Sequence, residues 1–239
     1  MRVFISGGCK NGKSTFAQKL AKQQQIAVVE NRLEQGEARL CPSLRGAQRR
    51  SNPGSSHERP LDCFAGARKD GSGTPLYYIA TMAAADREDD ERIIRHKKER
   101  EGWGFATIEQ PRNISGILEK CDPSGSFLLD SLTALLANEM FATDGSFDGH
   151  AEERIAAQLQ AVLSRVENIV VVSDYIYSDA MIYDPLTQAY RKSLAALDRL
   201  AAGICDVVLE AVYTQIIVHK GHEYKLLCSA TGDKGFQGQ

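Results

Sequence analysis

Apolar positions in this chain fall into short unbroken runs that alternate with longer stretches of helical spacing. Arg2-Val-Phe-Ile-Ser6 is a brief apolar run that ends at two glycines, the pattern of a buried strand. From Ser14 to Gln25, Phe16, Leu20 and Ala21 share one side of a helix and Gln18, Lys19, Lys22 and Gln23 the other. The same alternation resumes at Pro75. Leu76–Ala80 is expected as a strand, and 86–101 as a highly charged helix with Ile93 and Ile94 turned inward. A strand at Ser126–Asp130 is followed by a helix through Leu132, Leu135, Leu136 and Met140. An amphipathic helix over 152–166 precedes a strand at 169–173, and a helix over 187–202 precedes a strand at 206–211. Residues 214–218 and 223–227 read as a closing hairpin that turns at Lys220-Gly221. Strands alternating with helices predict an α/β fold: a mostly parallel sheet with helices on both faces and a C-terminal hairpin.

One stretch breaks the pattern. Residues 31–74 are rich in Arg, Gly, Ser and Pro and hold neither period. Such a segment buries too little apolar surface to offset the entropy of ordering it. It is expected as a largely disordered insertion within a single domain over 1–229, with 230–239 as a flexible tail. Hydrophobic residues make up 43% of the 239, enough for a real core. A net charge of −2 gives the whole molecule no electrostatic reason to bind nucleic acid. No apolar run nears the roughly 18–20 residues of a membrane span, and the start of the chain does not read as a signal peptide. The six cysteines form no Cys-x-x-Cys pair, which fits reduced thiols in a cytoplasmic protein.

The chemistry begins where the first strand ends. Gly7-Gly-Cys-Lys-Asn-Gly-Lys-Ser14 matches G-x-x-x-x-G-K-[ST] in full, between a strand and a helix. Gly7, Gly8 and Gly12 let the backbone turn its N–H groups inward around phosphate oxygens, and Cys9, Lys10 and Asn11 complete the loop. The helix that follows adds the positive end of its dipole. Lys13 supplies a point charge for the β and γ phosphates, and Ser14 a hydroxyl for Mg²⁺. Asp130 closes an apolar strand, where a second magnesium-side acid would sit; the alternative is a cap on the following helix, and the two roles could coexist.

Several segments beyond this loop resemble the bifunctional adenosylcobinamide kinase / adenosylcobinamide-phosphate guanylyltransferase family of cobalamin biosynthesis. They are Tyr78-Ile-Ala-Thr81, Arg92-Ile-Ile-Arg-His-Lys97 with Arg100 and Trp103, and Thr107-Ile-Glu-Gln-Pro111. Leu128-Leu-Asp-Ser-Leu-Thr133 with Asn138, and Val172-Ser173 with Tyr190-Arg191, complete the series. The resemblance implies a RecA-like P-loop fold, a homotrimer and two reactions. ATP or GTP phosphorylates the aminopropanol hydroxyl of adenosylcobinamide. GTP then passes GMP through an enzyme histidine to adenosylcobinamide phosphate. By position His96 matches that histidine, with Lys97, Lys98, Glu99 and Arg100 on the same nucleotide-binding segment. A neutral imidazole is the nucleophile such a step needs, and an unperturbed value near 6.5 leaves it mostly neutral at cytoplasmic pH. Lys97, Lys98 and Arg100 would lower that value and receive phosphate. Ala80, Thr81 and Met82 match a nucleotide-contacting segment, and Glu109 an acid beside guanine.

The chain departs from the family pattern after its fourth expected strand. Where the family carries Ser-Asn-Glu-Val-Gly and then Gly-x-Val-Pro, this chain reads Ser173-Asp-Tyr-Ile-Tyr-Ser-Asp-Ala-Met-Ile182. Tyr175 replaces a Glu, Tyr177 and Asp179 replace glycines, and Asp198 later replaces an Asn. The acceptor side of the site is therefore expected to be built differently. Two other readings stay open at this level: a single-activity P-loop kinase of another small hydroxylated substrate, and a nucleotide-binding switch without a chemical acceptor.

Overall fold

The computed structural model describes residues 1–9, 11–34, 74–83, 94, 97–98, 100–213 and 215–221. Among the described residues seven strands form one sheet: β1 (Arg2–Gly7), β2 (Leu76–Ala80), β3 (Ala106–Glu109), β4 (Ser126–Asp130), β5 (Asn168–Val172), β6 (Val207–Val212) and β7 (Gln215–Lys220). Their order is β3-β2-β4-β5-β1-β6-β7, all parallel except β7, which runs antiparallel beside β6. Successive residues of a strand face opposite sides of a sheet, and both sides are apolar here. Phe4, Tyr77, Ile79, Phe127, Leu129, Ile169 and Val171 enter the core on one face. Val3, Ile5, Leu76, Tyr78, Leu128, Val170 and Val172 enter the core on the other.

Helix α1 (Lys13–Glu34) covers the second of these faces through Phe16, Ala17, Leu20 and Ala21. The short α2 (Ile117–Lys120), then α3 (Leu132–Met140), α4 (Ala151–Arg165) and α5 (Pro185–Ile204), cover the first. Two of their starts are written in the sequence. Ser131 caps α3 by accepting the Ala134 N–H, and Asp184 caps α5 by accepting from Leu186 N and Thr187 N, with Pro185 in the first turn. Strand β5 lies between β1, which feeds the Gly-rich loop, and β4, which ends in Asp130. That interposed strand is the mark of the RecA-like branch of P-loop folds.

Several expectations need correction. Helix α1 runs through Glu34, so Asn31–Glu34 belong to it and not to the expected insertion; residues 35–73 lie outside the described residues. Gln18 is buried rather than solvated, as is Gln24, whose amide donates to the Met1 carbonyl at 3.0 Å. Ile94 is 64% exposed, not turned inward, and Ile93 lies outside the described residues. The 106–109 strand was not expected. The segment expected as the first arm of the closing hairpin, β7, returns antiparallel beside β6; its expected second arm, 223–227, lies outside the described residues.

Candidate active site at the C-terminal ends of the strands

Parallel strands in register end together, and the register of this sheet carries the candidate residues to one rim. Gly7 pairs with Ala211, Ile5 with Val172, Val172 with Asp130, Asp130 with Ala80, and Ala80 with Glu109. The Gly-rich loop leaves β1 at this rim. Gly7 has φ +154°, and a side chain there would run into the Asn11 amide nitrogen, 2.6 Å away, and the Ala211 carbonyl. Gly12, at φ +85°, turns the chain into α1, where the Phe16 N–H donates to the Gly12 carbonyl at 3.1 Å. The Asn11 side chain donates to the Ala211 carbonyl and ties the loop to β6.

Lys13 is 5% exposed, and its ammonium is held on two sides. It donates to the Gly8 carbonyl at 2.6 Å and to Asp174 Oδ1 at 2.8 Å. Asp174 follows β5 and is fixed through its own backbone, whose N–H donates to Thr133 Oγ1 at 2.8 Å. The P-loop cation is therefore parked on a carboxylate that sits where the family pattern has an amide. Motif reading passed over Asp174; its signal was the Asp after Ser173 within the departing stretch.

Asp130 stands at the end of β4 and does not cap α3, a role that Ser131 takes. Its Oδ2 accepts from the Tyr78 hydroxyl at 2.6 Å. Burial, and then the neighbouring Asp130 charge, push the Tyr78 phenol well above its ordinary value, so it stays a donor. The Arg100 guanidinium lies 3.6 Å over the Tyr78 ring and is itself buried. Thr81, fully buried, clasps the next residue: Ser131 N donates to Thr81 Oγ1, and Thr81 Oγ1 donates to the Ser131 carbonyl, both at 2.7 Å. Asn138 then donates to the Thr81 carbonyl at 2.7 Å and to that of Pro111 at 3.1 Å. Tyr190 donates to the Thr133 carbonyl at 2.9 Å. The residues that carry the family resemblance thus brace the ends of β2, β4 and β5 against one another.

Further along the rim, Lys97 and Glu109 form an exposed ion pair at 2.7 Å beside β3. Lys97, Arg100 and Thr107 line a cleft of about 410 Å³ there. His96, Glu99 and Lys10 lie outside the described residues, and of the charged segment only Ile94, Lys97, Lys98 and Arg100 onward are described. Among the described residues no three carboxylate, His or Cys side chains cluster as a protein-built metal cage. One hydroxyl at Ser14 and one carboxylate at Asp130 are the hard oxygen donors that suit Mg²⁺, which relies on substrate phosphates and water for the rest of its shell.

The departures after β5 prove to be partners of one another. Tyr177 donates to Asp198 Oδ2 at 2.9 Å and stacks edge-on against Tyr175, ring centroids 5.1 Å apart. Asp179 pairs with buried Arg191 at 2.8 Å and accepts from the Tyr183 hydroxyl at 3.0 Å. Burial raises the Asp198 carboxyl to about 6; hydrogen bonds from Ser173 and Tyr177 oppose the rise, the Asp174 charge adds to it and Arg199 opposes it. The segment is cross-linked where the family pattern has glycines.

Sheet order, Gly-rich loop, buried lysine and strand-end acid define a P-loop nucleotide-binding α/β protein. Residues 63–216 match the family described as cobinamide kinase / cobinamide phosphate guanyltransferase, nearly two thirds of the chain, and the chain belongs to that family. Membership makes it a transferase acting on cobinamide. The Gly-rich loop precedes the matched stretch and stands on its own motif and geometry. No curated protein matches the chain. Among solved structures it is similar to a KaiC-like protein, PH0186, from Pyrococcus horikoshii OT3, at 13% identity and a TM-score of 0.40, over 93% of this chain and 79% of that one. No described helix is long and apolar enough to cross a membrane.

Proposed function

We propose that this chain carries out both family reactions: phosphorylation of adenosylcobinamide by ATP or GTP, and transfer of GMP from GTP to the phosphorylated product. The observation that carries the reading is the cradle on β1, with Lys13 at its centre and Asp130 and Asp174 on the β4–β5 side. In the first reaction the Gly7–Ser14 backbone and Lys13 hold the triphosphate. Ser14 and Asp130 would hold Mg²⁺, which when bound spreads the charge that develops on the γ-phosphoryl group. Lys13 exchanges Asp174 for phosphate as the nucleotide enters, leaving that carboxylate free to accept a proton from the attacking hydroxyl.

In the second reaction His96 is the nucleophile. One imidazole nitrogen forms a bond to the α-phosphorus of GTP as the bond to the β-phosphate oxygen breaks, and pyrophosphate leaves. A phosphate oxygen of the acceptor then attacks the same phosphorus, the P–N bond breaks and the imidazole is regenerated. Lys97, Lys98 and Arg100 supply positive charge for this step, and Glu109 can accept the N1–H and N2–H donors of guanine. Family resemblance supports a homotrimer and a cytoplasmic setting. Incubation with GTP and Mg²⁺ followed by intact-mass analysis tests the covalent step. Wild type should gain one GMP and His96→Ala none; a protein that binds GTP and stays unmodified contradicts it.

A further inference from the structure

The strand-end acid and the cleft beside β3 share one buried ring. Tyr78 lies in the middle of β2, paired with Thr107 on β3 and with Leu128 on β4. Its hydroxyl donates to Oδ2 of Asp130, two residues beyond Leu128, at 2.6 Å. The ring itself is held by a single loop. The Arg100 guanidinium lies 3.6 Å over its face, and Phe105 meets it edge-on with centroids 5.8 Å apart. Two turns shape that loop: Glu101 N donates to the Lys98 carbonyl at 3.1 Å, and Trp103 N to the Arg100 carbonyl at 3.2 Å. Arg100 is 7% exposed. A buried cation needs a negative counterpart, and the ring face, with the Asp130 carboxylate beyond the hydroxyl, supplies one.

We propose that Arg100 is a positioning residue for phosphoryl transfer: by clamping the Tyr78 ring it fixes the direction in which the Asp130 carboxylate faces. The proposal rests on the metal-side role of Asp130 put forward above. A carboxylate tied at one oxygen presents the other along one direction, whereas an untied carboxylate turns about its own bond. The Tyr78 hydroxyl ties Oδ2 only while the ring stays in place, and Arg100 and Phe105 keep it there. The same guanidinium lines the cleft of about 410 Å³ with Lys97 and Thr107. The segment proposed to serve guanylyl transfer therefore also sets the acid of the phosphoryl-transfer site, and the two reactions depend on one loop.

Phosphoryl transfer from ATP to cobinamide by wild type, Tyr78→Phe, Arg100→Met, Arg100→Lys and the Tyr78→Phe/Arg100→Met double variant tests this. Tyr78→Phe keeps the ring and its packing and removes only the hydroxyl. It should lower kcat about tenfold, with KM for ATP changed less than about twofold. Arg100→Met should do the same, and Arg100→Lys, which keeps a cation over the ring, should recover most of the loss. The double variant should be no slower than either single one, because both act through the same hydrogen bond. Electron paramagnetic resonance of Mn²⁺ bound beside ADP should show weaker metal binding in Tyr78→Phe and Arg100→Met, about tenfold, and not in Arg100→Lys. Losses that multiply to about a hundredfold in the double variant would overturn the relay. Tyr78→Phe at wild-type kcat would overturn it whether or not the arginine variants fold. Asp130→Asn at wild-type kcat would instead remove the metal-side role beneath it.

Discussion

Asp198 shows how a single atom of difference reshapes this site. The family pattern has Asn there, and a buried carboxyl in its place is held up to about 6. Its unfolded value is near 3.9, so between those values the folded chain binds more protons than the unfolded one. The contribution to stability is complete below about pH 4 and is lost as pH rises through 6. Above that, the carboxylate carries a full charge at 3% exposure. Asp198→Asn keeps an acceptor for Tyr177 and removes the charge. Urea unfolding should show the variant more stable than wild type by about 2–3 kcal/mol at pH 8 and equal to it near pH 4. A difference that does not change with pH would contradict this account.

At the scale of elements, the site depends on how strand ends are locked. Thr81 links the end of β2 to the start of α3 through both polar groups of the Ser131 backbone, at zero exposure. Thr81→Val keeps the shape and strands both groups, so it should cost about 2 kcal/mol in thermal or urea unfolding and lower phosphoryl transfer by displacing Asp130; Thr81→Ser should restore both. A valine variant as stable and active as wild type would remove Thr81 from the clamp. Long elements with strong periodicity were legible in the sequence: β1, β2, β4, β5, the helices that follow β1, β4 and β5, and the Gly-rich loop; the helix expected after β2 falls largely outside the described residues. β3 was not, because four residues behind Gly102 and Gly104 with alternate positions exposed give too short a pattern. The β6–β7 hairpin was not legible, because β6 reads as one more parallel strand; only the antiparallel return of β7 reveals it. Gln18 was assigned by residue type, and polar residues enter a core where their amides find partners, as that of Gln24 does at Met1. The pairs Lys13–Asp174 and Tyr177–Asp198 span 161 and 21 residues, a proximity that no local pattern carries.

For the whole molecule, parallel register is the unifying fact. It brings the Gly-rich loop, Thr81, Asp130, Asp174 and the end of β6 to one rim. Family membership supplies cobinamide as the acceptor, and the cradle supplies the place where its phosphoryl group is delivered. The most direct measurement is transfer of label to cobinamide from ATP radiolabelled at the γ-phosphate, with wild type, Lys13→Met and Asp130→Asn compared at saturating Mg²⁺. Labelled cobinamide phosphate should form with wild type and fall by about a thousandfold in Lys13→Met and about a hundredfold in Asp130→Asn. Unlabelled cobinamide beside ATP-bound wild type, or undiminished transfer by Lys13→Met, would contradict the account.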